Sequence, residues 1–280
     1  MQGRVGLVTD STSSIPAAMA AQWGVTVVPT KIKIGQHIAA EPNVPMDYLV
    51  RALEGDMDVS TAPPDPAGFQ WAYKQAAAVG ADEVVSVHIS GKQSETCEIA
   101  RKAAVHSPVP VHVIDSGTTG MSLGFAVLAA ARVAGAGGGP RRVMDALTRR
   151  LEGSVELIYV DTLEFLRKGG RIGAAAALLG SALSLKPLLT MKDGQVTPLE
   201  RVLGTERALR RLVDQAVRRA SGRKVDIAIE HFGAPERADK LASRLRSRVS
   251  DVRDITFTEV SSTIGVHLGP GAVGITVSPT

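Results

Sequence analysis

Thr162-Leu-Glu-Phe-Leu-Arg-Lys-Gly-Gly-Arg-Ile-Gly173 predicts a short apolar helix that ends at two glycines and is followed by an arginine. Its two leucines fall on one helical face, and we expect Gly169 and Gly170 to supply the positive φ that ends the helix. Arg171 would then stand on a fixed backbone and offer a rigid fork of donors to a carboxylate or phosphate. The simpler interpretation is a solvated arginine after a helix C-cap, so the rest of the chain has to decide.

Length and composition describe an ordinary globular protein with one large domain or two average ones. The chain has 280 residues, of which 44% are hydrophobic, 21% charged and only 4% aromatic, so aliphatic side chains must fill its core. The net charge of +4 is too small to indicate nucleic-acid binding, and no aromatic RNA-binding motif accompanies it.

Cysteine usage and the apolar pattern predict the compartment. The single cysteine, Cys97, excludes an internal disulfide and a cysteine-rich metal site. The sequence begins in a strand pattern without an apolar signal region, and no apolar run reaches membrane-spanning length. We therefore expect a cytoplasmic protein with no integral membrane segment, no metal, no cofactor and no nucleic-acid partner.

Strand and helix patterns alternate through the first half of the chain. Apolar runs predict strands at 5–10, 84–89 and 109–114, and helical stripes at 94–105 and 121–133. Strands that alternate with helices form a parallel sheet with helices on both faces. The first half should therefore be an α/β layer structure.

The second half follows a different pattern. Asp193-Gly194 is a hairpin turn signal between two apolar strands, and residues 225–229 alternate as a half-exposed strand should. A helix of alanine and leucine is predicted at 174–183. We therefore divide the chain into residues 1–152, a mostly parallel α/β domain, and residues 153–280, an α+β domain with a largely antiparallel sheet.

Three polar residues lie at predicted element ends and are candidate site residues. Thr61 opens the loop Thr61-Ala-Pro-Pro-Asp65, and Ser94 opens a helix, so turn and capping roles explain both hydroxyls. His267 lies within residues 263–271, an apolar stretch predicted as a strand that a Gly-Pro-Gly turn breaks. A lone histidine there is typical of a satisfied structural residue, and such short signals carry little weight singly.

Gly120-Met-Ser-Leu-Gly124 matches the nucleophile-elbow pattern of serine hydrolases. That motif needs its serine on a sharp turn between a strand and a helix, whereas the preceding strand is predicted to end at Ile114. Ser122 is therefore expected in the first turn of a helix. An esterase or thioesterase that uses Ser94 or Ser122 with His267 stays open as an alternative.

In chain order these segments resemble the DegV family of bacterial fatty-acid-binding proteins, from the first strand to the last. Thr9-Asp-Ser11 is similar to the family's first strand end, and residues 113–124 to its central Asp-Ser segment, which gives Ser122 a non-catalytic explanation. The most specific block begins at Leu163, runs through the glycine turn and continues to Leu185-Lys-Pro-Leu-Leu189 and the hairpin turn. Ile264-Gly-Val-His-Leu-Gly-Pro-Gly-Ala-Val-Gly274 is a second strong similarity.

The resemblance implies two domains that clasp one long-chain fatty acid, with its tail in an apolar tunnel at the domain junction. It implies that Thr61, Ser94 and His267 contact the carboxylate, with Arg171 as a nearby charge. It further implies a separate fatty acid kinase, whose catalytic domain resembles dihydroxyacetone kinases, that phosphorylates the bound acid for phospholipid synthesis. The protein itself would present the substrate and catalyse no reaction.

The chain departs from the family pattern near these residues. The family's Thr-Ser-x-Pro-Ser block reads Thr61-Ala-Pro-Pro-Asp65, its Ser-Gly-Thr reads Ser94-Glu-Thr96, and Leu203 stands where an arginine is usual. Glu95 matters most, because a second anion beside the fatty-acid carboxylate would oppose binding unless it is turned away.

Tail burial and surface charge complete the prediction. About 14 buried methylenes at ~0.8 kcal/mol each would supply roughly 11 kcal/mol before association costs, and residues 174–185 either line the tunnel or form ordinary core. Arginine-rich helix faces are expected to be solvated, with docking to an acidic kinase surface or transient contact with anionic lipid as the alternative. These arginines are Arg141, Arg142, Arg149, Arg150, Arg210, Arg211, Arg218 and Arg219.

We therefore predict a non-catalytic carrier that binds one long-chain fatty acid and presents its carboxylate to a fatty acid kinase. The serine esterase is one alternative. A lipid-responsive regulatory module without a kinase partner is the other.

Overall fold

A computed structural model describes residues 3–180, 184–249 and 251–280 of the chain, and strands alternate with helices through most of them. The strands are β1 (Val5–Asp10), β2 (Val25–Val28), β3 (Lys31–Ile34), β4 (His37–Ala40), β5 (Val59–Ala62), β6 (Glu83–His88), β7 (Val111–Asp115), β8 (Val155–Tyr159), β9 (Leu185–Lys192), β10 (Gln195–Leu203), β11 (Val225–His231), β12 (Val252–Glu259) and β13 (Val273–Pro279). The α-helices are α1 (Ala17–Gln22), α2 (Met46–Glu54), α3 (Pro66–Ala78), α4 (Thr96–Ala104), α5 (Gly120–Gly135), α6 (Pro140–Gly153), α7 (Glu164–Lys168), α8 (Thr205–Ala220), α9 (Pro235–Arg246) and α10 (Ser262–Leu268). Short 3₁₀ helices lie at Ser11–Ser13, Glu41–Asn43 and Gly173–Leu178.

Strands β2, β1, β6 and β7 form, in that order, a parallel sheet. Leu123 of α5 and Leu147 of α6 pack on Val85 at one face, while Phe69 of α3 packs on Val84 at the other. Successive residues of a strand point to opposite faces, so both faces of β6 are covered. The predicted parallel α/β arrangement with helices on both faces is confirmed.

Strands β10, β9, β8, β13, β11 and β12 form the second sheet, in which every neighbouring pair is antiparallel except β11 and β12. Helices α8 and α9 cover one face, where Leu212 and Leu241 join the same apolar cluster as Ile227. Asp193 and Gly194 have φ of +49° and +77°, the left-handed pair of a tight hairpin turn. The largely antiparallel sheet of the second half and its hairpin are therefore confirmed.

Strand β11 corrects the prediction of a half-exposed strand at 225–229, because it is buried on both faces. Ile227 packs beneath α8 and α9, and Ala228 packs against Met121 of α5 on the other side. A central strand between two helical layers has no face in solvent. The polar residues of its alternating pattern, Asp226 and Glu230, are consequently buried ionisable groups.

A small antiparallel sheet of β4, β3 and β5 was not predicted. Ile32 of β3 and Leu49 of α2 belong to the same hydrophobic cluster as Val160, Leu166 and Phe232 of the second half. Strand β3 and helix α2, from the first half of the chain, therefore share a core with residues of the second half. The boundary between residues 152 and 153 stays a prediction.

The predicted strand at 263–271 is wrong, since Ser262–Leu268 forms helix α10. The Ser262 N–H at its start donates to the buried Glu41 carboxylate at 2.6 Å. Gly265 faces Phe232 so closely that a Cβ would overlap the ring. The apolar content of this stretch is that of a buried helix, which periodicity over seven residues does not separate from a strand.

Two further predictions need correction. Within the predicted helix 174–183 the structure has a 3₁₀ helix, Gly173–Leu178, and positions 181–183 lie outside the described residues. Gly173 has φ +51°, and a Cβ at this position would lie only 2.6 Å from Val196 O. Both features favour a tight irregular turn.

Arg150 does not lie on the predicted solvated helix face. Its guanidinium is buried against Asp226 of β11.

Candidate functional site

The glycine turn after α7 positions the arginine that follows it. The Arg171 N–H donates to Leu166 O at 3.0 Å and the Gly170 N–H to Arg167 O at 3.1 Å, which is the bond pair of a Schellman helix end. Gly170 has φ +69° as predicted, but Gly169 stays helical at φ −77°. The expectation of two left-handed glycines is therefore wrong for Gly169.

Two carbonyl groups hold the Arg171 side chain. Its Nε donates to Gln93 O at 3.1 Å and its Nη1 to Gly169 O at 2.8 Å. The Gln93 side chain in turn donates to Gly194 O at the hairpin tip, at 3.1 Å. The guanidinium therefore stands where a loop of the parallel sheet meets two turns of the second half.

Thr61 and His267 come together although they are 206 positions apart. Thr61 lies on β5, not in the predicted loop, and its Oγ1 is 2.9 Å from Nε2 of His267 on α10. A Cβ on Gly169 would overlap Nδ1 of the same ring, and that nitrogen has no hydrogen-bond partner among the residues described. Burial, and then the charge of Arg171, lowers the pKa of His267 to about 4. The imidazole is therefore neutral near pH 7, with one donor and one acceptor nitrogen.

Ser94 precedes α4, and its structural explanation is also visible. Its Oγ is 2.8 Å from Thr96 Oγ1 and accepts from the Thr96 N–H at 3.3 Å, so it helps to satisfy the start of the helix. Ser94 lines the same cavity as Thr61 and His267. Glu95 is exposed and is not among the residues lining that cavity, so its carboxylate is turned toward solvent.

One cavity, the main cavity, brings all four candidates together: Thr61, Ser94, Arg171 and His267 line it. Its walls enclose about 680 Å³, open solvent at the mouth included. The remaining surface is largely apolar and comes from both sheets and from α7 and α10. Six of these apolar residues are Ile89, Ile158, Leu166, Met191, Val196 and Leu268.

Polar residues that the sequence analysis missed share one position in the fold. Thr12, Thr30 and Thr119 line the main cavity and follow β1, β2 and β7, just as Ser94 follows β6. The carboxyl ends of parallel strands meet at one edge of the sheet, where ligands of open α/β sheets bind. This rule could have identified these residues from the sequence, because each is a hydroxyl residue that follows a predicted or observed strand of the parallel sheet.

A second depression, the outer groove, adjoins the main cavity. Thr61, Arg171 and His267 line both the main cavity and this groove, which adds Asp56 and Lys168 among its charged residues. Three polar side chains therefore stand at the boundary between an apolar interior and an open polar surface. A ligand with an apolar tail and an anionic head matches that boundary.

The geometry does not assemble the predicted nucleophiles. Ser122 is the third residue of α5, as expected, and donates to Glu156 Oε2 at 2.9 Å. The Thr61 hydroxyl is the hydrogen-bond partner of His267 Nε2, and within the described part of the chain neither Ser94 nor Ser122 donates to that nitrogen. A nucleophile and its base need a direct hydrogen bond or a closely poised contact.

A serine, a histidine and an aspartate do contact one another elsewhere in the structure, in the order found in serine hydrolases. His88 Nε2 is 2.7 Å from Ser86 Oγ, and His88 Nδ1 is 3.0 Å from Asp10 Oδ2. All three residues have 0% exposure, and none of them lines the main cavity or the outer groove. Tyr73 also bonds to Ser86 at 2.9 Å, so this is a satisfied polar network inside the parallel sheet.

Over residues 3–180, 184–249 and 251–280, no group of three or more His, Cys, Asp or Glu side chains is arranged to hold a metal ion. Within the same ranges, none of the helices has both the length and the apolar character needed to cross a bilayer.

Sequence comparison relates the whole chain to one family. A family model described as "Uncharacterised protein, DegV family" matches residues 4–280. A DegV domain-containing protein of Streptomyces coelicolor is 44% identical over 279 residues, which are 99% of each chain. One of Deinococcus radiodurans is 37% identical over 282 residues, which are 98% of each chain.

Structure comparison gives the same relationship. A fatty-acid-binding DegV family protein from Thermus thermophilus superposes with a TM-score of 0.93 at 31% identity, over 99% of this chain and 100% of its own. DegV, a fatty acid binding protein from Bacillus subtilis, superposes with a TM-score of 0.90 at 25% identity, over 99% and 100%. The same overall fold is therefore present in both.

Proposed function

This chain belongs to the DegV family, and we propose that it binds one long-chain fatty acid in the main cavity. The carboxylate would lie at Thr61, Ser94, Arg171 and His267, and the tail would extend inward along the apolar walls. The observation that carries this proposal is the position of Thr61, Arg171 and His267 on the boundary between the main cavity and the outer groove.

The physical chemistry of the cavity supports an amphipathic ligand. Burial of an acyl chain contributes ~0.8 kcal/mol for each methylene, so the tail supplies most of the binding free energy. The head group then fixes orientation, because a guanidinium, a hydroxyl and a ring N–H are donors that a desolvated carboxylate needs. Relatives described as fatty-acid-binding, at 25% and 31% identity, support the same choice of ligand.

We further propose that the chain presents this carboxylate to a separate fatty acid kinase of the dihydroxyacetone-kinase-like type, in the cytoplasm, and is not itself an enzyme. The outer groove supports this part, because it leaves Arg171 and His267 accessible from outside while the tail is enclosed. A phosphoryl donor held by a partner could then approach the head group without release of the acid. The acyl phosphate would serve phospholipid synthesis.

Calorimetric titration of delipidated protein with hexadecanoic acid tests the binding proposal. One acid should bind per chain, and the methyl ester should bind more weakly because it brings no charge to Arg171.

Arg171→Met and Thr61→Val should each lower the affinity for the acid by roughly ten-fold, since a hydrogen bond to a charged group contributes about 1.5–3 kcal/mol. Glu95→Gln is the control, because that residue is exposed and outside the cavity, and it should leave the affinity unchanged. Equal affinity for acid and ester would contradict the assignment of the head-group site.

A trapping experiment tests presentation. Loaded protein, a purified fatty acid kinase and MgATP should yield acyl phosphate, captured as a hydroxamate by hydroxylamine. Bound lipid without hydroxamate would favour the regulatory module. Ester turnover by the protein alone, lost in Ser94→Ala or Ser122→Ala, would favour the esterase.

A further inference from the structure

A second, smaller cavity, the inner cavity, adjoins the main cavity. It encloses about 320 Å³ and shares Thr119, Ile158, Ile264 and Leu268 with the main cavity. These four residues therefore form the wall between the two spaces. An acyl chain that enters past the head-group residues therefore has the inner cavity in front of its far end.

Two carboxyl groups line this otherwise largely apolar space, Glu156 and Glu230. Glu156 of β8 is opposite Thr276 of β13, and Glu230 of β11 is opposite Gly274 of the same strand. Residues 274 and 276 lie on one face of β13, so both carboxyl groups project to that face. Gly274 makes room for them, because a Cβ there would be 3.2 Å from Glu156 Oε1.

Most of the hydrogen-bonding capacity of the pair is used. Glu156 Oε2 accepts from Ser122 Oγ at 2.9 Å and from Thr276 Oγ1 at 2.6 Å. Glu230 Oε2 accepts from the Met121 N–H at 3.1 Å and lies 3.2 Å from Thr276 Oγ1, whose single proton makes the shorter bond to Glu156.

One oxygen is left over. Glu230 is 2% exposed, and its Oε1 has no hydrogen-bond partner among the described residues. The Ser14 hydroxyl and the Glu156 carboxyl group both favour the charged form of Glu230, against the larger opposing effect of burial on its pKa, but neither is in hydrogen-bonding geometry with Oε1. An unsatisfied carboxyl oxygen in a buried cavity is costly unless a ligand or water reaches it.

The electrostatics of the pair suit a neutral hydrogen-bonding partner. Burial, and then the charge of Glu230, raises the pKa of Glu156 well above its usual value, and burial raises the pKa of Glu230. Two adjacent buried carboxyl groups resist ionising together. With the proton on Glu156, Glu230 Oε1 stays an acceptor for the hydroxyl group of a ligand.

We propose that the inner cavity selects fatty acids that carry a hydroxyl group at the end of the chain, through a hydrogen bond to Glu230 Oε1. This inference rests on the proposed function, because it takes the head group to be held at Thr61, Arg171 and His267. A purely apolar cavity would discriminate the other way, since burying an unpaired hydroxyl weakens binding.

Paired titrations of the delipidated protein test the inference. Unsubstituted straight-chain acids of 12, 14, 16 and 18 carbons are compared with the ω-hydroxy acids of the same lengths. At the length that reaches Glu230, the hydroxy acid should bind about ten-fold more tightly. Equal or weaker binding of the hydroxy acid at every length would overturn the inference and would mean that water occupies the space beside Glu230 Oε1. The proposed function would remain intact. Binding of neither series would overturn the proposed function as well.

Two variants test whether the preference for the hydroxy acid arises in the inner cavity. Glu230→Leu should abolish it, with the hydroxy acid losing affinity and the unsubstituted acid keeping it or gaining. Val260 lines the inner cavity but not the main cavity, so Val260→Phe should fill the inner space and remove the preference without touching a carboxyl group. If Glu230→Leu fails to fold, Val260→Phe carries the test, and a preference that survives it would contradict the location.

Discussion

Gly170 has φ +69°, a conformation that side-chain-bearing residues adopt at a cost, and its missing Cβ would meet open space among the described residues. Gly169 has φ −77°, which any residue adopts, but a Cβ there would overlap His267 Nδ1. At the residue scale, one glycine of the turn therefore ends a helix and the other makes room for a site histidine.

The two glycines make a matched pair of variants. Gly169→Ala should displace the imidazole, lower fatty-acid affinity about ten-fold or more and cost about 1–3 kcal/mol of unfolding free energy, as overpacking does. Gly170→Ala should cost about 1–2 kcal/mol of unfolding free energy, as left-handed backbone does for an alanine, and should change affinity less. Titration and chemical denaturation of both variants separate the effects, and equal losses of affinity would contradict the distinction.

His267 should report the ligand through its titration. Its pKa of about 4 lies below the usual value of 6.5, so in the free protein the ring favours folding above pH 6.5 and that contribution is lost as pH falls toward 4. A bound carboxylate should raise this pKa, because an opposite charge favours imidazolium.

Nuclear magnetic resonance of the histidine side chains measures the change, with His267→Gln to identify the signal. The rise should appear with hexadecanoic acid and be smaller with its methyl ester. A pKa near 6.5 without ligand, or no change with it, would place His267 outside the head-group site.

How far the site could be predicted differs from residue to residue. The sequence indicated Thr61, Ser94, Arg171 and His267 through their resemblance to the family motifs, and the structure places all four on one cavity. The contact between Gly169 and His267 was not predictable, because it joins residues almost a hundred positions apart. Their roles in binding stay predictions until a ligand is measured.

At the scale of elements, the long periodic segments were predictable and the short ones were not. Helix α5, β6 and the hairpin turn carry strong local patterns, and they appear close to the predicted places. Strands β3 and β5 have four residues each and were missed, since so few residues carry little periodicity. Helix α10 was predicted as a strand because its apolar composition reflects burial on several sides.

Glu156 and Glu230 join β8, β11 and the start of α5, and their protonation should be visible in stability. A carboxyl group whose pKa is raised in the folded state binds protons that the unfolded chain releases, so its contribution falls as pH rises above the usual pKa of 4.5. Glu156→Gln imitates the protonated form. The variant should therefore be more stable than the parent at pH 8, and the difference should shrink toward pH 5.

Denaturant unfolding across this pH range measures the difference. Glu95→Gln, on the exposed surface, is the control and should follow the parent at every pH. A Glu156→Gln variant that is less stable than the parent at pH 8 would show that the carboxyl group is ionised and favourable where it lies.

At the scale of the whole molecule, buried polar contacts hold the parallel sheet's helices against the second sheet. Arg150 of α6 is paired with the buried Asp226 of β11, and Arg253 donates to the same carboxylate, with Nε 2.8 Å from Oδ1. The Met121 N–H of α5 donates to Glu230. These contacts join helices of the first half to strands of the second half, and the proposed division at residues 152 and 153 has to be consistent with them.

Arg150 and its neighbour Arg149 give a direct comparison. Arg150→Met removes one partner of a buried ion pair and should cost roughly 3 kcal/mol of unfolding free energy, whereas the exposed Arg149→Met should change it by less than about 0.5 kcal/mol. Thermal or denaturant unfolding measures both. Equal small effects would mean that Arg253 alone satisfies Asp226.

The central claim is that this chain carries one long-chain fatty acid. Native mass spectrometry of the purified protein, followed by denaturing extraction and identification of the released lipid, tests it most directly. We predict a mass increase of one fatty acid per chain, or stoichiometric uptake when the acid is added to delipidated protein. A protein that is purified empty and fails to take up any added long-chain acid would contradict the account.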